Sequence, residues 1–136
     1  MAGWQLPAHV HASLLWQARA AAPRECCGLL LADAQHGVLP LALVNQALSD
    51  DAFAVGDHDL LALARLLRSS GRTVLAQYHS HPQAPAQPSA ADLALADPGL
   101  AQIIISLLPD SAPALRGWQI RDGQVAELTL EFCATP

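Results

Sequence analysis

Residues 73–92, TVLAQYHSHPQAPAQPSAAD, decide how the rest of the chain is read. Their first part, residues 73–79, has the β-branched and aromatic content of a strand. Two histidines, His79 and His81, then bracket a serine, and a Pro-rich loop runs over residues 82–88. Ser89 and Asp92 open a short, apolar, helix-like segment predicted over residues 89–97. On a strand, residues i and i+2 point to the same face, so His79 and His81 can aim both imidazoles at one point. The seven residues between His81 and Ser89 are enough to swing Asp92 back toward it. Two histidines and one carboxylate supply three ligands and leave zinc's fourth position open to water, as in catalytic rather than structural sites. A second reading stands beside this one: Ser-x-x-Asp is also a capping box, with Ser89 as the cap and Asp92 answering from N3. His9 and His11 form another His-x-His pair, but on a predicted helix, where i and i+2 do not face each other.

Working outward, residues 56–71, GDHDLLALARLLRSSG, form the clearest helix. Leu60, Leu63, Ala64 and Leu67 share a face, Asp57 can cap its start, and Gly71 follows its end. Residues 26–32, CCGLLLA, are a continuous apolar run consistent with a strand buried on both faces. A turn around His36-Gly37 leads to an antiparallel neighbour over residues 38–45. A first helix is predicted over residues 6–22, with Pro7 in its first turn, Val10, Leu14, Leu15 and Ala18 on its apolar side, and Pro23 ending it. Residues 102–108, 114–120 and 124–130 read as strands, the last two joined by an Asp122-Gly123 hairpin turn. Strands interspersed with helices predict an α/β (α+β) layered domain, a mixed β-sheet flanked by helices.

The 136 residues hold no repeat, linker or charge block that would divide them, so a single domain over 1–136 is expected. About half are apolar and only 14% are charged, which excludes a disordered chain. All seven basic residues are arginines, twelve acids bring the net charge to −5, and no basic run occurs, so nucleic acid is a poor partner. The first residues lack the basic and apolar regions of a secretory signal. LAQIIISLL, residues 100–108, is too short to span a bilayer as a helix. Three cysteines, two of them adjacent, make no disulfide framework. Together these predict a reduced, cytoplasmic setting with no membrane partner.

At residues 79–92, HSHPQAPAQPSAAD resembles the signature of the JAMM (MPN-type) zinc metallopeptidases: His-x-His-Pro, seven residues to a serine, then Ser-x-x-Asp. PRECCGLLLA, residues 23–32, is similar to that family's Pro-x-Glu-x-Cys-Gly-Leu-Leu segment. AFAVGDHDLL (52–61) resembles the approach to its central helix, and GRTVLAQYHSHP (71–82) the strand leading to its metal. Nearly the whole chain is covered. Departures fall at Ala76, where the family often has glycine, and at Ala90 and Ala91, where glutamine or threonine often follows the serine.

The resemblance, to compact prokaryotic members in particular, implies a cytidine-deaminase-like three-layer fold and a set of roles. His79, His81 and Asp92 would bind Zn2+, and Glu25 would be the general base that moves a proton from water to the leaving amine. Ser89 would hydrogen-bond the developing oxyanion or the water. From spacing alone, Glu25 would be a solvated carboxylate at a helix–strand junction. The implied substrate is the peptide or isopeptide bond after the C-terminal tail of a ubiquitin-like or sulfur-carrier protein, the tail lying extended beside a strand edge. Cys26 and Cys27 are read as small hydrophobes, with Cys27 on the side of Glu25. Cys133, near a loose C-terminus, has no role assigned, and Trp4, Trp16 and Trp118 are packing residues.

Two rival functions are weighed. A non-catalytic MPN-like scaffold would not need Glu25, His79, His81, Ser89 and Asp92 together. A nucleoside deaminase on a related fold needs His-x-Glu with Pro-Cys-x-x-Cys, which is missing. His-Glu-x-x-His and a Gly-x-Ser-x-Gly elbow are missing too.

Overall fold

A computed structural model describes residues 3–35 and 37–133. Along the chain run β1 (Gly3–Pro7), α1 (Ala8–Ala21), β2 (Cys27–Asp33), β3 (Gly37–Leu43), α2 (Asp57–Ser70) and β4 (Thr73–His81). After them come α3 (Ala90–Leu95), β5 (Ala101–Ser106), β6 (Leu115–Arg121) and β7 (Gln124–Cys133). The strands form one mixed sheet in the order β1-β7-β6-β5-β4-β2-β3. β1 pairs with β7 and β4 with β5 in parallel; the other neighbours are antiparallel.

Alternation along β2 shows why helices cover both faces. Leu30 packs into the larger core with Val10, Leu14 and Ala18 of α1. Leu29 and Leu31 point the other way and meet Leu63 and Leu67 of α2. An α+β domain of helix, sheet and helix follows, as the sequence predicts. No helix among the described residues is long and apolar enough to cross a membrane.

A bulge in β4 sets up the site. Its partners in β2 shift register between Leu30, opposite Ala76, and Leu31, opposite Val74, which leaves Leu75 as the extra residue. Val74 therefore packs on the α2 side while Ala76 and Tyr78 pack on the α1 side. The extra residue changes the parity of the strand. Beyond it, Gln77, His79 and His81 share the α2 face.

Several boundaries differ from the sequence reading. Residues 3–7 form a strand, so the first helix begins at Ala8, not at residue 6. Leu6 is buried by the sheet instead of a helix face, and five residues are too few to show a strand period. β7 continues to Cys133, which pairs with Pro7, so that cysteine ends a strand; the terminus beyond it lies outside the described residues. Gly56 occupies the N-cap of α2 and Asp57 is its first helical residue. Of the stripe predicted for α2, only Leu63 and Leu67 pack on the sheet, because the helix lies over edge strand β3. Leu60 is 48% exposed and Ala64 is exposed as well. Pro40 is tolerated within β3 because that strand has a free edge. The expected turn at His36-Gly37 includes His36, which lies outside the described residues; Gly37 has a positive φ of 76°. Asp122 and Gly123, at φ of 52° and 75°, make the β6–β7 turn as predicted.

Candidate metal centre

Three side chains from two elements converge at the end of β4. His79 and His81 are 1% and 5% exposed. Asp92 stands in the first turn of α3, whose N-cap is Ser89. Its Oδ1 lies 3.1 Å from His79 Nε2 and its Oδ2 lies 3.1 Å from His81 Nε2. The two Nε2 atoms are themselves 3.1 Å apart. Ligands at about 2.0–2.1 Å from a tetrahedral zinc ion stand about 3.3 Å from one another, so the two imidazole nitrogens, and each nitrogen with its own carboxylate oxygen, have the spacing of neighbouring corners of such a site.

The capping box and the ligand arrangement coexist. Ser89 Oγ accepts from the Asp92 amide at 3.1 Å, and the Ser89 amide donates to Asp92 Oδ2 at 2.9 Å. The cap thus aims the carboxylate instead of competing for it. Because Oγ accepts the amide, its own proton remains to be donated elsewhere.

His81 Nδ1 lies 2.8 Å from the Pro85 carbonyl. A carbonyl can only accept, so Nδ1 carries a proton, and it is Nε2 that faces Asp92 and His79. His79 stacks on Phe53 with ring centroids 4.7 Å apart, and its buried Nδ1 has no hydrogen-bond partner among the described residues. Burial pushes the Asp92 carboxyl up, but hydrogen bonds from His79 and His81 outweigh it and hold that group far below the usual carboxylate range. His81 moves the other way: burial lowers its pKa, and the hydrogen bonds to Asp92 and to the Pro85 carbonyl, with the charges of Asp92 and Glu25, together more than reverse this. A cation entering between these groups would displace the His81 proton, which makes metal uptake proton-releasing.

Glu25 is buried at 5% exposure just before β2. One of its carboxylate oxygens and one nitrogen of each histidine lie within 4.8 Å of one another. Burial pushes its carboxyl up to about 7, with Asp92 and Asp51 adding to the rise and His81 opposing it. Alternation past Glu25 puts Cys26 in the α1 core, its amide donating to Ser80 Oγ at 2.8 Å. Burial raises both adjacent thiols, Cys27 to about 11, so they stay protonated at neutral pH. His9 and His11 take no part in the centre; the His11 ring packs edge-on against Phe132.

Four residues to which the sequence reading gives no role complete the surroundings. Asn45 Nδ2 donates to the carbonyls of Glu25 at 2.8 Å and Ala52 at 3.0 Å. Its Oδ1 accepts from the amides of Ala47 at 2.9 Å and Ala54 at 3.1 Å. Arg24 braces the same loop through the carbonyls of Asn45 and Ala47. This latch brings Asp51 and Phe53 beside Glu25. An asparagine after an apolar strand is a known backbone-binding type, but nothing local announces partners on both sides of it.

Two clefts meet at Glu25. One, of about 110 Å³, is lined by Phe53, Gln77, His79, Asp92 and Leu95. The other, of about 300 Å³, is lined by Asp50, Asp51, His81, Gln83 and Ser89.

Residues 7–121 match the model of a family described as prokaryotic homologs of the JAB domain. No curated protein sequence matches the chain. Among solved structures, a Desulfitobacterium hafniense protein determined in solution is 33% identical, with a TM-score of 0.79 over 96% of this chain and 93% of that one. A Salinibacter ruber protein is 24% identical, with a TM-score of 0.62 over 98% of this chain and 92% of that one. A JAB1/MPN domain protein from Archaeoglobus fulgidus is 21% identical, with a TM-score of 0.59 over 94% of this chain and 99% of that one. The last two likenesses speak to fold alone.

Proposed function

The chain belongs to the family of prokaryotic JAB-domain homologues, and from that premise we propose that it is a zinc-dependent hydrolase. Its substrate would be the peptide or isopeptide bond after the C-terminal tail of a ubiquitin-like or sulfur-carrier protein. The observation that carries this reading is the convergence of His79, His81 and Asp92 at 3.1 Å, with Glu25 buried beside them. Zinc held by those three would supply a Lewis acid that polarises the scissile carbonyl and lowers the pKa of water toward about 7.

The chain's own groups do the rest. With its carboxyl raised to about 7, Glu25 can take a proton from the attacking water and return it to the leaving amine near neutral pH. Ser89, at the rim of the wider cleft, donates its free hydroxyl proton to the developing oxyanion. Phe53 and Leu95 line the narrow cleft, which supports a slender tail of small residues on the acyl side. The wider cleft, with room for a side chain, would then take the leaving group.

A partner-binding scaffold would require no carboxylate pair around two buried histidines, so the catalytic reading is preferred. Its test is to offer the zinc-loaded protein a panel of ubiquitin-like tails fused to a following residue and to identify the products by mass. Cleavage directly after a tail supports the proposal. An intact panel together with stable binding of one carrier would favour the scaffold.

A further inference from the structure

The loop over residues 82–88 is held in a way that its sequence conceals. Pro82, Pro85 and Pro88 lack amide protons, so the loop has few donors with which to satisfy its own carbonyls. Three successive carbonyls instead receive side-chain donors from three strands. Ser106 Oγ at the end of β5 donates to Ala84 O at 2.7 Å. His81 Nδ1 of β4 reaches Pro85 O at 2.8 Å, an oxygen that also accepts the Gln87 amide at 2.8 Å. Trp118 Nε1 of β6 donates to Ala86 O at 2.9 Å. The tryptophan ring also packs with Ile104 around Ala86, which is 1% exposed.

We infer that Trp118 and Ser106 are positioning residues of the metal centre, acting on it through this loop. Their side-chain hydrogen bonds go to the loop and to the Leu108 amide, not to the ligand atoms. Trp118 fixes Ala86 and Ser106 fixes Ala84, and the carbonyl between them orients the His81 ring. The same loop then delivers Ser89 and Asp92 at the start of α3. Removing the Trp118 donor would leave a buried carbonyl unpaired, and the loop would have to open to hydrate it. His81 would lose its fixed orientation and Asp92 its distance from His79. Outer partners that orient metal ligands typically change metal affinity by roughly 10–100-fold when lost.

This inference rests on the reading that His79, His81 and Asp92 bind zinc, and the test separates the two. Zinc affinity is measured by competition with a chromophoric chelator, at a temperature where every variant is folded. The wild type is compared with Trp118→Phe, which keeps the ring and loses the N–H, and with Ser106→Ala. A control, Leu128→Ala, lowers stability through the core on the α1 side of the sheet, a cluster separate from that of Trp118 and Ala86. About tenfold or greater weakening in Trp118→Phe and Ser106→Ala, with wild-type affinity in Leu128→Ala, is the expected result. Wild-type affinity in both loop variants would overturn the inference while leaving the zinc site intact, as would equal weakening in all three. A wild-type protein that binds no zinc would overturn the metal reading and this inference with it.

Discussion

Asp92 Oδ1 lies 3.1 Å from His79 Nε2, so the first turn of a helix closes on the end of a strand across a proline-rich loop. Asp92 touches both histidines, one oxygen each, while Glu25 also stands within ligand reach of them; in the proposed function, binding falls to Asp92 and proton transfer to Glu25. Metal analysis of the purified protein should find about one zinc per chain, and His79→Ala and Asp92→Ala should each lose it through gel filtration. Zinc that survives both substitutions would place the ion elsewhere.

Ser89 has two duties that one pair of variants can separate. Glycine at an N-cap costs only a few tenths of a kcal/mol, whereas alanine costs about 1 kcal/mol. Ser89→Gly should therefore keep nearly wild-type stability while losing roughly 100-fold in kcat, the usual cost of removing one oxyanion donor. Ser89→Ala should show the same kinetic loss with a lower Tm. If Ser89→Gly cleaves at the wild-type rate, the hydroxyl serves only as a cap.

Asn45 bonds four backbone groups on both sides of the loop beside Glu25. Asn45→Ala leaves them to find water or each other, and should cost about 2 kcal/mol or more. Amide exchange at Ala47 and Ala54 should accelerate while the amides of β5 stay protected. Unchanged exchange at both positions would mean that the loop holds its shape without the latch.

The convergence of the candidate metal residues was legible because the rules that link them are local. His79 and His81 are two apart on a strand, and Ser89 and Asp92 are three apart at a helix start; each spacing fixes a direction. Their supports were not legible, because each depends on a partner far along the chain. Trp118 finds Ala86 and Asn45 finds Glu25 only when the sheet has formed. The same reason hid β1, whose five residues become a strand by pairing with β7. It also hid the shallow seat of α2: the Leu60–Leu67 stripe has the period of a buried face, but the edge of the sheet receives only part of it.

Burial raises the folded-state pKa of Glu25 from 4.5 to about 7, which carries a definite sign for stability. Between those pH values the folded protein binds more protons than the unfolded chain, so stability falls as pH rises through the window. Asp92 acts oppositely: its depressed pKa contributes stability above its ordinary 3.8, lost as pH falls below. In chelator-treated protein, Glu25→Gln should match the wild type near pH 4.5 and exceed its Tm by several degrees above pH 7. Parallel Tm curves for the two proteins would show that Glu25 is not desolvated.

The most direct measurement of the central claim pairs zinc content with cleavage in Glu25→Gln. The amide keeps the shape of the side chain but cannot take a proton from water. The variant should retain about one zinc per chain and lose cleavage of a carrier-tail fusion by about 10²–10⁴-fold, the typical contribution of a positioned acid–base group. Wild-type cleavage by the zinc-loaded Glu25→Gln protein would contradict the account.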